Sequence, residues 1–71
     1  MTALRERRLA VAMPMAKLAH QAQVSYSLLS RYEMGWALPT RQTAERLAAS
    51  LATTVEQLFP GAALKDRGGA A

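Results

Sequence analysis

The residues best able to do chemistry fall in one stretch, Met15 to Gly35, MAKLAHQAQVSYSLLSRYEMG. A helix predicted from about Tyr26 to Met34 puts Tyr26, Ser27, Ser30 and Arg31 on one side, and all four carry hydrogen-bonding groups. Ser25, Leu28, Leu29 and Tyr32 form the opposite stripe and are expected to face inward. A face built from a phenol, hydroxyls and a guanidinium offers donors and acceptors to base-pair edges, and suits the major groove of DNA. The competing explanation is an ordinary solvated helix face in a small bundle. Catalysis has little to work with. There is no cysteine, hence no thiol nucleophile, disulfide or thiolate zinc site. The single histidine, His20, cannot build a multi-histidine metal centre and is expected on the surface. No nucleophile–base pair or carboxylate constellation is visible, so neither an enzyme, a cofactor nor a small-molecule ligand is expected.

The elements that must position this face are short helices. Met15, Leu18, Ala19 and Ala22 recur at i, i+3, i+4 and i+7, which predicts a helix over about 15–22. Gln23-Val24-Ser25 turns the chain, Ser25 can cap the next helix, and Gly35 can stop it in a left-handed conformation. Before this pair, a helix from about Thr2 to Ala12 puts Leu4, Arg8 and Val11 on one side. An inward arginine needs a partner, because an unpaired buried charge is very costly, and Glu33 is the candidate. Arg5 and Arg7 are expected in solvent. Pro14 fits the first turn of the following helix, where its missing amide proton is not needed.

After Gly35, Trp36 to Pro39 is a loop in which Trp36 could cover the edge of the core, lie on the sugar-phosphate backbone or join a dimer interface; packing on the core is the favoured expectation. Thr40 caps a helix from about Arg41 to Ala52, with Ala44, Leu47, Ala48 and Leu51 as its stripe. Thr54 and Gln57 form a capping box for a last helix, Val55 to Phe59, which Pro60-Gly61 ends. The segment from Ala62 to Ala71 has little to bury and is expected to fray. The expectation is therefore one all-α domain over 1–61, with a helix-turn-helix at about 15–34 and a disordered tail at 62–71.

A chain of 71 residues buries only about 60% of its unfolded surface, which leaves little room for an internal active site. Nine Lys/Arg against five Asp/Glu give a net charge of +4, a modest bias toward an anionic partner. No apolar run approaches the roughly 18 residues needed to cross a membrane, and the first residues lack the apolar segment of a signal peptide. A soluble cytoplasmic protein of bacterial or phage origin, associated with the nucleoid, is expected.

The ordered set Arg8, Leu18-Ala19, Val24-Ser25, Leu29-Ser30-Arg31-Tyr32-Glu33, Gly35, Pro39-Thr40, Leu47-Ala48, Leu51 and Val55-Glu56-Gln57-Leu58-Phe59 resembles the helix-turn-helix domain of the phage lambda Cro and repressor family, the Xre family. The resemblance runs from Leu4 to Phe59. It implies a compact five-helix, lambda-repressor-like DNA-binding domain, usually a homodimer, that regulates transcription. It also implies that Tyr26, Ser27 and Arg31 read bases, and that Arg8 and Glu33 form a salt bridge tying the first helix to the recognition helix. The loop Gly35-Trp36-Ala37, together with Arg41, would touch phosphates. Met15 stands where the family often carries a phosphate-binding glutamine, so only backbone amides at that helix start could serve there. Gln23 replaces the common turn glycine. Arg7 replaces a common apolar residue, while Leu9 and Val11 are unusually apolar and could form a patch for a partner.

The reading this supports is a regulator, expected to be a repressor, that binds a pseudo-palindromic operator in double-stranded DNA as a dimer. The alternatives are an antitoxin of a toxin–antitoxin pair, or a protein-interaction module that has lost DNA binding.

Overall fold

Four of the five helices begin at a hydroxyl. A computed structural model describes residues 1–66 and shows α1 (Ala3–Ala10), α2 (Met15–Ala22), α3 (Tyr26–Met34), α4 (Arg41–Ser50) and α5 (Val55–Leu58), with no strand among the described residues. The side chains of Thr2, Ser25, Thr40 and Thr54 accept from the amides of Arg5, Leu28, Thr43 and Gln57, each satisfying one of the donors that a helix start leaves over. α2 is the exception. Pro14 occupies its N-cap position, just outside the expected first turn, and supplies no side-chain bond.

The core is built on leucine and alanine. Leu4, Leu18, Leu29, Leu47 and Leu51 are the largest side chains wholly removed from solvent, each worth about 1.5–3 kcal/mol of burial. The small residues Ala19, Ala22, Ala44 and Ala48 are also buried. They let α2 lie close along α4, the most extensive helix pair. α3 rests on α2 and α1, and α5 closes the core against α4 and α1.

Several expectations change at the ends of elements. Val11 is exposed, because α1 stops at Ala10 and the chain reverses through Ala12 at φ 56°. α4 stops two residues early, at Ser50, where Ala52 takes φ 55° and the Thr53 amide returns to the Ala48 carbonyl. α5 ends at Leu58. Gln57 does not close a capping box: its side-chain oxygen accepts from the Thr53 hydroxyl, 3.2 Å away.

Arg7 is not in solvent either. Its Nε and Nη2 donate to the carbonyls of Leu51 and Ala52 at 2.9 and 3.1 Å, closing the C-terminal end of α4. Nor does the chain from Ala62 fray at once. Ala62 and Leu64 pack against the core while Ala63 and Lys65 face out, and the Lys65 carbonyl accepts from the Arg41 amide at 2.8 Å. Residues 67–71 of the expected tail lie outside the described residues.

Candidate nucleic-acid interface

Two left-handed residues frame α3. Gln23 ends α2 at φ 59°, ψ 45°, and its amide and that of Val24 donate back to the carbonyls of His20 and Ala19. Gly35 ends α3 at φ 78°, and the amides of Gly35 and Trp36 donate to the carbonyls of Tyr32 and Arg31. Between them α3 turns Leu29, Tyr32 and Glu33 inward. The buried stripe lies one step further round than expected, leaving Ser25 exposed and Leu28 at the surface with 37% exposure.

Glu33 fixes the helix to α1. Both its carboxylate oxygens accept from Arg8, Oε2 from Nε and Oε1 from Nη2, the latter at 3.1 Å. Arg8 Nη1 also donates to the Met13 carbonyl at 3.0 Å, and the Thr2 hydroxyl donates to the Glu33 carbonyl at 2.8 Å. The geometry is a two-point fork, the arrangement in which a buried guanidinium and carboxylate satisfy one another. Arg46 makes a similar use of its charge beneath the turn. Its Nε donates to the Ala22 carbonyl at 2.9 Å and its Nη2 to the Thr43 hydroxyl at 3.0 Å, which ties the end of α2 to α4. Nearby, burial raises the Tyr32 phenol pKa above its ordinary value, against an opposing pull from the Arg46 charge, so the phenol stays neutral.

The outer face of α3 is different. Tyr26, Ser27 and Arg31 are exposed and Ser30 is half-buried. None of these side chains makes a hydrogen bond or ion pair with another described residue.

The residues expected on phosphates separate by availability. The Met15 side chain packs against the core, so it offers no polar contact. The α2 start itself is open: its first turn has no acidic residue, Pro14 provides no cap, and the amides of Met15, Ala16 and Lys17 meet no described acceptor. The α4 start is closed, since the Arg41 amide is bound by Lys65 and the Thr43 amide by Thr40, which leaves Arg41 only its guanidinium. In the stretch Gly35-Trp36-Ala37, the amides of Gly35 and Trp36 are already bonded, and that of Ala37 meets no described acceptor. Trp36 does not pack on the core. It is 76% exposed, because Ala37 and Pro39 fill the edge that it was expected to cover. The ties that Arg7 and Arg46 make between helices have no mark in the sequence, since those acceptors are carbonyls 44 and 24 residues away.

A family profile described as helix-turn-helix matches residues 4–58, spanning all five helices but for the first residue of α1. The chain belongs to the Cro/C1-type helix-turn-helix family. No curated protein and no solved structure matches it. The family is one of DNA-binding regulators of transcription. No helix among the described residues is long and apolar enough to cross a membrane, and no cluster of His, Asp and Glu among them could hold a metal ion.

Proposed function

We propose that this chain is a sequence-specific repressor that binds a pseudo-palindromic operator as a homodimer, in the cytoplasm of its host, with α3 in the major groove. The observation that carries the reading is the division of its arginines. Arg7, Arg8 and Arg46 are bonded within the fold, whereas Arg31 stands on the outer face of α3 without an internal partner among the described residues. There its guanidinium suits the O6 and N7 of a guanine, with Ser27 one turn before it and Ser30 at the margin of the same face. Tyr26, at the helix start, is suited to a thymine methyl or a phosphate. The open amides at Met15 and the next two residues, the Ala37 amide within the loop Gly35-Trp36-Ala37 and the Arg41 guanidinium form the anchoring set. Such contacts fix register without reading sequence.

The test is selection of binding sites from a random duplex pool, followed by footprinting. The expected product is two inverted half-sites about 34–36 Å apart, roughly 10 base pairs centre to centre. A single half-site saturated by one chain would overturn the dimer. A second reading, an antitoxin, is favoured by one observation: Leu9 and Val11 at the end of α1 are exposed, at 49% and 39%. A toxin bound there would copurify with the chain when the neighbouring gene is coexpressed, and Leu9→Lys would release it.

A further inference from the structure

We infer that Trp36 is the knob of a two-fold contact between copies of this chain, seated in an apolar cleft of the partner. The inference rests on the homodimer reading above and names the surface that makes it. Trp36 is 76% exposed, and its near neighbours Met34 and Leu38 are 53% and 59% exposed. A large aromatic held in water on a loop is unfavourable unless something covers it.

A receptor lies beside it. Tyr32, Gly35, Ala37, Leu38, Phe59 and Pro60 line a cleft of about 230 Å³, shared with the start of α1. An apolar cavity of about 150 Å³ already accepts a benzene ring. Trp36 does not fill its own cleft: the bond from its amide to the Arg31 carbonyl sets it on the rim, between the lining residues Gly35 and Ala37. A knob and a hole side by side on one face are what a two-fold interface requires, since each copy must present both.

The area fits a second copy and sets its strength. The exposed parts of Met34, Trp36 and Leu38 come to roughly 400 Å² per copy, within the ~300–600 Å² of a large surface patch and about half the ~800 Å² per partner of a standard interface. The dimer is therefore weak in free solution, and two half-sites on one duplex complete it by raising the effective concentration. The contact stays clear of the start of the reading face: Tyr26 lies at the far end of α3, about 12 Å along the axis from Met34, whereas Arg31 lies one turn from Met34, so the interface borders the reading face.

The chain has one tryptophan, so its emission reports this contact directly. Emission and acrylamide quenching are followed from micromolar to millimolar protein, beside sedimentation equilibrium of the same samples. The expected result is a blue shift and reduced quenching in step with dimer formation. Trp36→Ala weakens the dimer by at least about tenfold, with unchanged far-UV circular dichroism. Leu38→Arg blocks the cleft but keeps the knob, and has the same effect. Mixing the two variants restores one contact of the pair, so the emission of Leu38→Arg shifts blue only when Trp36→Ala is added.

A Trp36→Ala chain that dimerises like the parent places the interface elsewhere and overturns this inference while leaving the dimer intact. A parent chain that stays monomeric to millimolar concentration and binds its selected site as one copy overturns the dimer reading itself. Emission that ignores protein concentration but is quenched by a random-sequence duplex puts the indole on DNA, and also overturns the inference.

Discussion

The two sides of α3 carry charge for opposite purposes. On the inner side Glu33 is 4% exposed and held by both arms of Arg8, itself 9% exposed. On the outer side Arg31 is exposed and meets no described partner. An ion pair sealed from water gains from a low local dielectric but loses the hydration of both charges, so its net worth is small and its integrity matters greatly. An exposed guanidinium costs the fold nothing and keeps its hydrogen-bonding capacity for a ligand. One helix thus separates the charge that holds it in the fold from the charge left open to a ligand.

Breaking the inner side has the largest expected effect. Glu33→Ala strands the Arg8 guanidinium in the core and should cost about 3–5 kcal/mol, seen as a fall in the urea midpoint and a Tm lower by tens of degrees. A double-mutant cycle with Arg8→Ala should return a coupling well above the ~0.2–1 kcal/mol of exposed pairs. Replacing both residues by apolar ones of similar volume, Arg8→Met with Glu33→Leu, should recover most of the loss. Additive single effects near zero would show that the two faces do not differ as described.

Breaking the outer side should leave stability within about 0.5 kcal/mol and act on binding instead. Arg31→Ala should cost about 1–3 kcal/mol on the selected site and relax preference at one G·C pair. A uniform loss on selected and random duplexes alike would make Arg31 an anchor, leaving sequence reading to Tyr26, Ser27 and DNA shape. Arg41→Ala sharpens the contrast from another helix. Its amide already belongs to Lys65, so only a side-chain contact is lost. Selected and random duplexes should weaken by similar factors, and the slope of log affinity against log salt should flatten by about 0.9.

How far the chain could be read follows from range. The helix starts are legible because a capping oxygen and the amide that donates to it lie three residues apart, as with Ser25 and Leu28 or Thr40 and Thr43. α2 and α3 came out with the bounds that periodicity sets, between a proline and two left-handed residues. Arg7 reads as surface charge, and the tie from Arg46 to α2 has no sequence mark, because the partners across helices are carbonyls, which every residue carries and no side-chain pattern marks. Leu28 is expected inward from its place in the stripe with Ser25, Leu29 and Tyr32, and Trp36 from its apolar bulk, yet both are exposed. Whether an apolar residue is covered depends on which neighbour reaches the core edge first, and here Leu29, Ala37 and Pro39 do. Ala62 and Leu64 escaped notice because an extended strap of two alternating small contacts has too short a period to stand out.

The smallest effect tests the turn on which both faces depend. Gln23 and Gly35 take the same left-handed conformation at the C-terminal ends of α2 and α3, one with a side chain and one without. For a residue with a Cβ this region costs roughly 1–2 kcal/mol, part of which glycine returns through its greater freedom in the unfolded chain. Gln23 is exposed and makes no side-chain hydrogen bond with a described residue, so nothing offsets the strain. Gln23→Gly should therefore stabilise the domain by a few tenths of a kcal/mol to about 1 kcal/mol, with an unchanged urea m-value and unchanged DNA binding. Gly35→Ala should do the reverse. A Cβ there would sit 3.6 Å from Thr2 Cγ2, an ordinary contact, so its cost comes from φ alone. Stabilisation at Gln23 with destabilisation at Gly35 would show that backbone strain, not packing, separates the two turns. A loss at both would mean that the Gln23 side chain supports the helix pair through a contact as strong as the strain it bears.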